Sequence, residues 1–336
     1  MFSSTLIYGV TYHGSVPEPL NGLDNVYGKH ISADRLRSHL TWLKERYPIV
    51  SLIDSLRKVR QGRRPPRQAV FIVFHDGYRD NYDVAYPILK EMGLPASFFL
   101  TTAFIGTGKR FWVDLLDAAV KYSPRDRIEV ETRTSQETLR LDSMPARYDA
   151  GVKLRNTLKP LADSIFQDRF DRLIAALGFD FPDQIPKLGD HENCLDWDMV
   201  REMSAGGMEF GSHTHGHIIC ARQDEATTRQ EMTVSKEIIE RETGKPCEIF
   251  CYPNGYYPQD GNEQTDRLAK DVGYDYVLYM VGPYNLINCN SFKITGLAMG
   301  DGDGIDVLER TLSLRRYLSR RLKGSNIWPW SKDSLT

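Results

Sequence analysis

The sequence predicts a parallel α/β protein, in which buried strands alternate with amphipathic helices. The first indication is the alternation itself, which runs along most of the 336 residues. The second is the run at 69–74, which is apolar throughout, as a strand covered on both faces should be. The third is that polar residues able to do chemistry directly follow several predicted strands, where the active sites of barrel-type α/β proteins lie.

The first third of the chain alternates most clearly. A helix that begins near residue 32 places Leu36, Leu40 and Leu43 on one face. A later helix stops before Gly93, a residue that often ends helices. The predicted elements are, in order, a strand at 6–10, the helix from residue 32, strands at 49–52 and 69–74, a helix near 80–92 and a strand at 96–100.

The alternation breaks at residues 106–195 and resumes at Trp197. Within the break we expect a hairpin at 128–131 and 138–141, helices near 146–158 and 161–177, and a loop at 181–190. After it we expect a helix from Trp197, helices near 224–243 and 263–272, and strands at 208–212, 248–252 and 275–279. We therefore predict one α/β domain from 1–105 and 196–312, a mostly helical insertion at 106–195 that caps one side of the site, and a basic tail at 313–336.

The composition excludes some classes of protein. The formal net charge of −2 gives no net attraction to nucleic acid. No apolar run approaches the roughly 18 residues that would suggest a transmembrane helix. The first residues lack a basic stretch and a cleavage site, so we expect no signal peptide. Five cysteines without tight pair spacing favour a reducing compartment, and we expect a cytoplasmic protein.

The predicted tail has two interpretations. Its basic and aromatic residues are Arg315, Arg316, Arg320, Arg321, Trp328 and Trp330. This pattern is compatible with peripheral contact with a membrane surface. An ordinary solvated terminal helix has the same pattern, so both interpretations stay open.

Two segments about 140 residues apart contain the residue types of a divalent metal site. Asp76 follows the strand at 69–74, and His213 and His217 follow the strand at 208–212. One carboxylate and two imidazoles suit a zinc-type ion that keeps open positions for water and substrate. The ordinary interpretations are that Asp76 is a capping residue and that His213 and His217 belong to a solvated polar loop. The combination predicts one zinc ion and metal-assisted hydrolysis.

The residues around these segments carry a family resemblance. Residues 74–82 read FHDGYRDNY, residues 207–214 read GMEFGSHT, and residues 250–255 read FCYPNG. In this order they resemble the polysaccharide deacetylases, carbohydrate esterase family 4, also called the NodB-homology domain. The family motifs are TFDDG, H-[ST]-x-x-H and P-x-G, and the resemblance covers about 5–105 and 195–295. It implies a distorted (β/α) barrel, here of about seven strands.

The resemblance also implies roles for residues of the second and third motifs. His213 and His217 fill the ligand positions, which leaves His215 at a variable position that faces solvent or substrate. The backbone N–H of Asn254 should stabilise the oxyanion, although Pro-Asn-Gly is also an ordinary turn sequence. We expect the third motif to bind substrate through Tyr252 and Pro253.

The sequence departs from the family at three catalytic positions. His75 stands where the family has the aspartate that acts as general base, and a neutral imidazole could take over that role. Cys251 replaces an arginine that pairs with this aspartate in many members. Its loss is consistent with a histidine base, since an arginine would disfavour the imidazolium. No histidine follows His217 to serve as the late general acid, and His13 is the best substitute, unless it is an ordinary loop histidine.

The leading interpretation is a metal-dependent N-deacetylase that acts on an N-acetylated amino sugar. Without an export signal, a cytoplasmic glycan precursor, nucleotide-linked or lipid-linked, fits better than a mature wall polymer. One alternative is a pseudoenzyme that keeps the fold and the metal as a binding module, which the three departures favour. Another is hydrolysis of a non-sugar amide or a cyclic imide.

Overall fold

A nine-stranded, mostly parallel sheet forms the centre of the computed structural model, which describes residues 5–131, 136–161 and 163–313. Helices surround this sheet. In chain order the strands and α-helices are β1 (Thr5–Tyr12), β2 (Gly14–Val16), β3 (His30–Ser32), α1 (Ala33–Arg46), α2 (Leu52–Arg60), β4 (Ala69–Phe74), α3 (Tyr86–Met92), β5 (Ser97–Leu100), α4 (Trp112–Tyr122), β6 (Arg127–Glu131), β7 (Gln136–Arg140), α5 (Met144–Leu158), α6 (Asp163–Ala176), α7 (Trp197–Ala205), β8 (Glu209–Ser212), α8 (Glu225–Thr243), β9 (Ile249–Cys251), α9 (Glu263–Val272), β10 (Tyr276–Tyr279), β11 (Tyr284–Ile287), β12 (Lys293–Thr295), β13 (Leu297–Ala298) and α10 (Ile305–Thr311).

The sheet curls into a nearly closed ring. Its strand order is β11-β1-β4-β5-β8-β9-β10-β12, and every pairing is parallel except that of β1 with β11. β12 pairs with β10, whereas β13, one residue further along the chain, pairs with β1. The predicted α/β class and distorted (β/α) barrel are therefore confirmed.

The ring closes where β1 meets the segment of β12 and β13, and this seam requires two glycines. A Cβ atom at Gly296, between β12 and β13, would lie 2.2 Å from Cγ2 of Thr11. A Cβ atom at Gly9, on β1, would lie 2.4 Å from the carbonyl oxygen of Thr295. Neither position has room for a side chain, so the backbones at the seam approach as closely as they do because both residues are glycine.

Alternate residues of β4 pack into two separate layers, which explains why the strand is apolar throughout. Val70, Ile72 and Phe74 join the cluster that also contains residues of α1 and α3. Ala69, Phe71 and Val73 join a second cluster with apolar residues of neighbouring strands and of α2. A strand buried on both faces needs this pattern, and the prediction for 69–74 is confirmed.

One predicted strand was wrong. Residues 49–52 were expected to form a strand, but only Ile49 makes an isolated bridge, and the helix α2 begins at Leu52. The Ser51 hydroxyl accepts a hydrogen bond from the backbone N–H of Asp54 at 3.0 Å and so caps this helix. The helical spacing of Leu52, Leu56 and Val59 competes with the short apolar run and prevails.

The segment 106–195 contains two strands and three α-helices that lie outside the central sheet. β6 and β7 form the predicted hairpin as a separate antiparallel pair. α4, α5 and α6 pack with it around a distinct hydrophobic cluster that includes Leu116, Leu154 and Ile174. This arrangement supports the proposed insertion, whose boundaries stay a prediction.

No helix in the described part of the chain is long and apolar enough to cross a membrane. The predicted basic tail begins at 313, and its residues 314–336 lie outside the described ranges.

Candidate metal centre and active-site cavity

Three predicted metal ligands meet at the carboxyl ends of the central strands. Asp76 lies beyond the end of β4, and His213 and His217 lie beyond the end of β8. The Nε2 atoms of His213 and His217 are each 3.3 Å from the same carboxylate oxygen, Oδ1 of Asp76. Asp76 and His213 are buried, and the side chain of His217 is 18% exposed.

The spacing of these three atoms fits a bound zinc ion. Tetrahedral ligands at about 2.0–2.1 Å from zinc lie about 3.3–3.4 Å from one another. Nδ1 of His213 lies 2.9 Å from the backbone oxygen of Cys251, where an N–H on Nδ1 donates to that carbonyl. Nε2 of the neutral ring then carries a lone pair facing the Asp76 carboxylate, an arrangement that a cation between them would stabilise.

The protonation states also suit a metal. Burial raises the pKa of Asp76, but hydrogen bonds with His213 and His217 outweigh this effect and hold the pKa well below its usual range. Burial lowers the pKa of His213, and the nearby Asp76 opposes this only in part. Near neutral pH the site therefore combines an ionised carboxylate with a neutral imidazole, the forms that coordinate metals.

The backbone around the site adopts unusual conformations. In the described ranges, six non-glycine residues have a positive φ, and four of them belong to the motifs: Asp76, Thr214, His217 and Asn254, with φ between 58° and 73°. Such residues are uncommon and tend to cluster at functional sites, where surrounding contacts must hold them. One such contact is the backbone N–H of Gly216, which donates to Oε2 of Glu231 at 2.6 Å.

His75 and Cys251 lie beside the metal ligands in a deeper layer. Both are buried, and Sγ of Cys251 is 3.5 Å from Nδ1 of His75. The two residues that replace the family's aspartate and arginine are thus in contact. Burial, followed by the neighbouring His13 and His213, lowers the pKa of His75 well below its usual value. Burial raises the pKa of Cys251, so its thiol stays protonated.

His13 occupies a more accessible position. It is partly exposed, its ring centroid is 5.3 Å from that of His75, and it lines the cavity described next. Burial lowers its pKa to about 4, although the Asp76 carboxylate acts in the opposite direction. His13 is therefore neutral near pH 7, which suits a proton acceptor better than the general acid we predicted from the sequence.

A cavity of about 870 Å³ opens over the three predicted ligands. Its barrel side includes His13, Asn254, Met280 and Met299. Its other side comes largely from the segment 106–195, with Arg110, Phe111, Trp112, Arg155, Lys159, Phe166 and Phe170. The ring centroid of Phe111 is 5.2 Å from that of His217, so this segment reaches the metal site itself.

Asn254 is placed as the sequence predicts, at the cavity. Among the described residues nothing accepts a hydrogen bond from its backbone N–H. A free N–H beside the metal ligands is what the proposed oxyanion role requires.

The other predicted substrate contacts lie elsewhere, and these expectations need correction. Tyr252 is fully buried, and its hydroxyl donates to Asp266 at 2.9 Å, so its side chain cannot reach the cavity. Pro253 is buried and outside the cavity wall. His215 also lies outside that wall, with Nδ1 2.9 Å from the Thr102 hydroxyl. Alternate side chains of a strand and its turn point in opposite directions, and the motif alone does not tell which ones face the site.

Sequence reasoning missed most of the cavity wall. Lys29 lines the cavity, donates to the Tyr78 hydroxyl at 2.8 Å and pairs with the buried Asp114. Tyr27 and Trp112 also line it. Lys29, Tyr27 and Trp112 belong to no motif, and they reach the site only because distant segments fold over the barrel. The one signal in the sequence for this wall is the aromatic pair at 111–112.

Comparisons with known proteins agree with the geometry. The sequence model of the polysaccharide deacetylase family matches residues 62–153 and 171–277. YxkH of Bacillus subtilis, named only provisionally as a polysaccharide deacetylase, is 31% identical over 98 residues, which are 29% of this chain and 34% of that protein. The poly-β-1,6-N-acetyl-D-glucosamine N-deacetylase of Staphylococcus epidermidis is 28% identical over 88 residues, 26% of this chain and 30% of that protein.

These matches span about a third of the length of the curated relatives. Among solved structures, the Streptococcus pyogenes deacetylase PplD in complex with acetate superposes with a TM-score of 0.59 at 16% identity, covering 93% of this chain and 100% of that one. At this identity the similarity shows the fold.

Proposed function

The chain belongs to the polysaccharide deacetylase family, and from this premise we propose that it is a metal-dependent hydrolase that removes the acetyl group from an N-acetylated amino sugar. The observation that carries the proposal is the convergence of His213 and His217 on one oxygen of Asp76, each at 3.3 Å. When bound there, a zinc-type ion supplies Lewis acidity and lowers the pKa of a coordinated water.

Different residues of the chain would bind the ion, stabilise the oxyanion and transfer the proton. Asp76, His213 and His217 would hold the ion, and the backbone N–H of Asn254, which has no partner among the described residues, lines the same cavity. That N–H would stabilise the negative charge that develops on the acetamide oxygen. Proton transfer then falls to a neutral histidine, either His13 or His75.

We assign proton acceptance to His13 rather than to His75. His13 lines the cavity together with the metal ligands, whereas His75 lies in the layer below it. A general base must come within hydrogen-bond reach of the proton that it accepts. His75 as the base, the prediction from the sequence, remains the alternative, and the corresponding variants separate the two.

The cavity supports a sugar substrate. Aromatic rings from Tyr27, Phe111 and Trp112 and polar groups from Asn254 and Lys29 line it. Aromatic walls with a few polar groups are typical of small-molecule sites, and about 870 Å³ is within their usual range of about 300–1,000 Å³. We propose an N-acetylated glycan or glycan precursor, with a nucleotide-linked or lipid-linked cytoplasmic sugar as the specific form. The N-acetylglucosamine polymer named for the S. epidermidis relative is the natural first substrate to test.

The decisive experiment measures bound metal and released acetate together. Wild type loaded with zinc should hold one ion per chain and release acetate from N-acetylated glucosamine oligomers. Asp76→Ala should lose the ion and at least about 100-fold in rate, because two imidazoles without a carboxylate leave the site short of a ligand and of charge. The matched control is Asp83→Ala, which removes an exposed carboxylate paired with Arg79. Full zinc content in Asp76→Ala would refute the ligand assignment.

A second candidate function follows from the burial of His75. A metal-binding protein that has lost its base would retain the three ligands and the cavity without turnover. Wild type that holds zinc and binds N-acetylated oligomers, yet releases no acetate, would establish this pseudoenzyme. Turnover of a cyclic imide or simple amide instead of a sugar would establish the third interpretation.

A further inference from the structure

Beyond the proposed deacetylation, we propose that His75, His213 and Cys251 form a second metal site, which selects soft, thiophilic ions. One donor atom from each of the three lies within 4.8 Å of the donor atoms of the other two. All three residues are buried: Cys251 is 0% exposed, His75 1% and His213 3%. The site arises from the two residues that stand where the family has an aspartate and an arginine.

The spacing matches a thiolate and an imidazole on one ion. Ligands on tetrahedral zinc at about 2.3 Å for sulfur and about 2.0–2.1 Å for nitrogen lie about 3.6 Å apart. The observed distance from Sγ of Cys251 to Nδ1 of His75 is 3.5 Å. The rings of His75 and His213 have centroids 5.3 Å apart, so the third residue lies next to this pair.

The ligand types determine which ion is favoured. A thiolate with two imidazoles prefers soft or borderline ions such as Cd²⁺ and Cu⁺, whereas the carboxylate with two imidazoles in the first site accepts harder ions. Binding replaces the thiol proton of Cys251 by the metal, and that proton leaves to solvent. His213 lines the cavity and so provides the route by which an ion enters.

His213 belongs to both ligand sets. Its Nδ1 is already engaged with the backbone oxygen of Cys251, so only Nε2 is available for either ion. The two sites therefore exclude each other, and a soft ion would displace zinc from His213. Only this competition rests on the proposed function; soft-ion binding itself does not.

The test uses Cd²⁺ and the ultraviolet charge-transfer absorption of a cadmium–thiolate bond. The protein is the full, metal-free chain with the two partly exposed cysteines, Cys194 and Cys289, replaced by serine. We expect one Cd²⁺ per chain with this absorption. Cys251→Ser should abolish the band, and His75→Gln should weaken Cd²⁺ binding at least tenfold. Cys247→Ser removes another fully buried thiol and should keep the band.

Two further readouts keep the outcome independent of folding and of deacetylation. Circular dichroism confirms that each variant is folded, and Asp76→Ala should keep the cadmium band although it loses zinc. The proposal is overturned if the background protein shows no band, or if folded Cys251→Ser retains it. Because no step measures acetate, failure of the deacetylase proposal leaves this result unaffected.

Discussion

At the scale of single residues, the two neutral histidines beside the metal ligands differ mainly in where they lie. His13 lines the cavity at the end of β1, and His75 lies beneath it in contact with Cys251. Both have a depressed pKa, caused first by burial. Because both rings are neutral at neutral pH, the pair provides proton acceptors and no imidazolium to act as the acid.

We expect His13→Asn to reduce the acetate release of zinc-loaded protein by about 100-fold or more, the usual contribution of a general base. His75→Asn should reduce it less, since this ring lies outside the cavity. The measurement is kcat at equal zinc occupancy, with occupancy checked for each variant. The reverse order, with His75→Asn the more damaging, would restore His75 as the base.

The meeting of the proposed metal ligands was predictable at this scale, whereas several contacts were not. Asp76, His213 and His217 have a distinctive spacing, and their chemistry demands that they converge. Tyr252 has no such signature, and only its burial beside Asp266 shows that it serves the core. The positive φ values at Asp76 and His217, which set the direction of both side chains, also leave no trace in residue type.

At the scale of elements, the first turn of α4 forms the wall of the cavity opposite the barrel. Trp112 lines the cavity and packs edge-to-face on Phe166, with ring centroids 5.3 Å apart. Phe111 precedes it, stacks on Phe104 at 4.4 Å and touches His217. One helix terminus therefore contacts both a proposed metal ligand, His217, and the cavity in which we propose that a sugar lies.

We expect Trp112→Ala to raise KM for N-acetylated oligomers about tenfold while kcat changes little, because the ring supplies binding surface remote from the reacting atoms. The control is Tyr122→Ala, which removes an exposed aromatic ring from the other end of the same helix. Steady-state kinetics on oligomers of increasing length separate the two parameters. An unchanged KM would show that the substrate avoids this wall.

Elements with strong periodicity were predictable, and those decided by competition between patterns were not. β4 and the hairpin of β6 and β7 occur as predicted. The start of α2 differed because a capping serine, Ser51, and helical spacing outweighed the short apolar run around it. The short strands β2 and β3, which pair in parallel, have no sequence signal beyond three residues each.

At the scale of the whole molecule, the described chain contains separate hydrophobic clusters for the barrel and for the segment 106–195. The segment 106–195 also buries an ion pair. In this pair the guanidinium of Arg155 donates from Nε to Oδ1 of Asp117 at 2.7 Å. The side chains are 5% and 4% exposed. Because the pair is buried, the stability of this segment should depend strongly on both partners.

We expect Arg155→Ala to lower the free energy of unfolding by about 3–5 kcal/mol, since it leaves the Asp117 carboxylate buried without a counter-charge. Lys153→Ala, on the same helix, breaks a pair with Glu137 in which the side chains are 46% and 32% exposed, and should cost at most about 1 kcal/mol. Denaturant titration measures both, and hydrogen exchange in α4 and α5 locates the effect. Equal, small losses would show that the pair contributes little.

The closure of the ring at Gly9 and Gly296 has a consequence for how the chain reaches its native state. Val10 pairs with Leu297, so the contact joins segments that are far apart in the sequence. Such contacts form late, because the entropy of closing a long loop must be overcome before the contact stabilises anything. The pairing of β6 with β7 and the packing of α4 on α5 join segments near in sequence and can form first. During synthesis, β1 must therefore wait for its last neighbour until residue 297 has emerged from the ribosome.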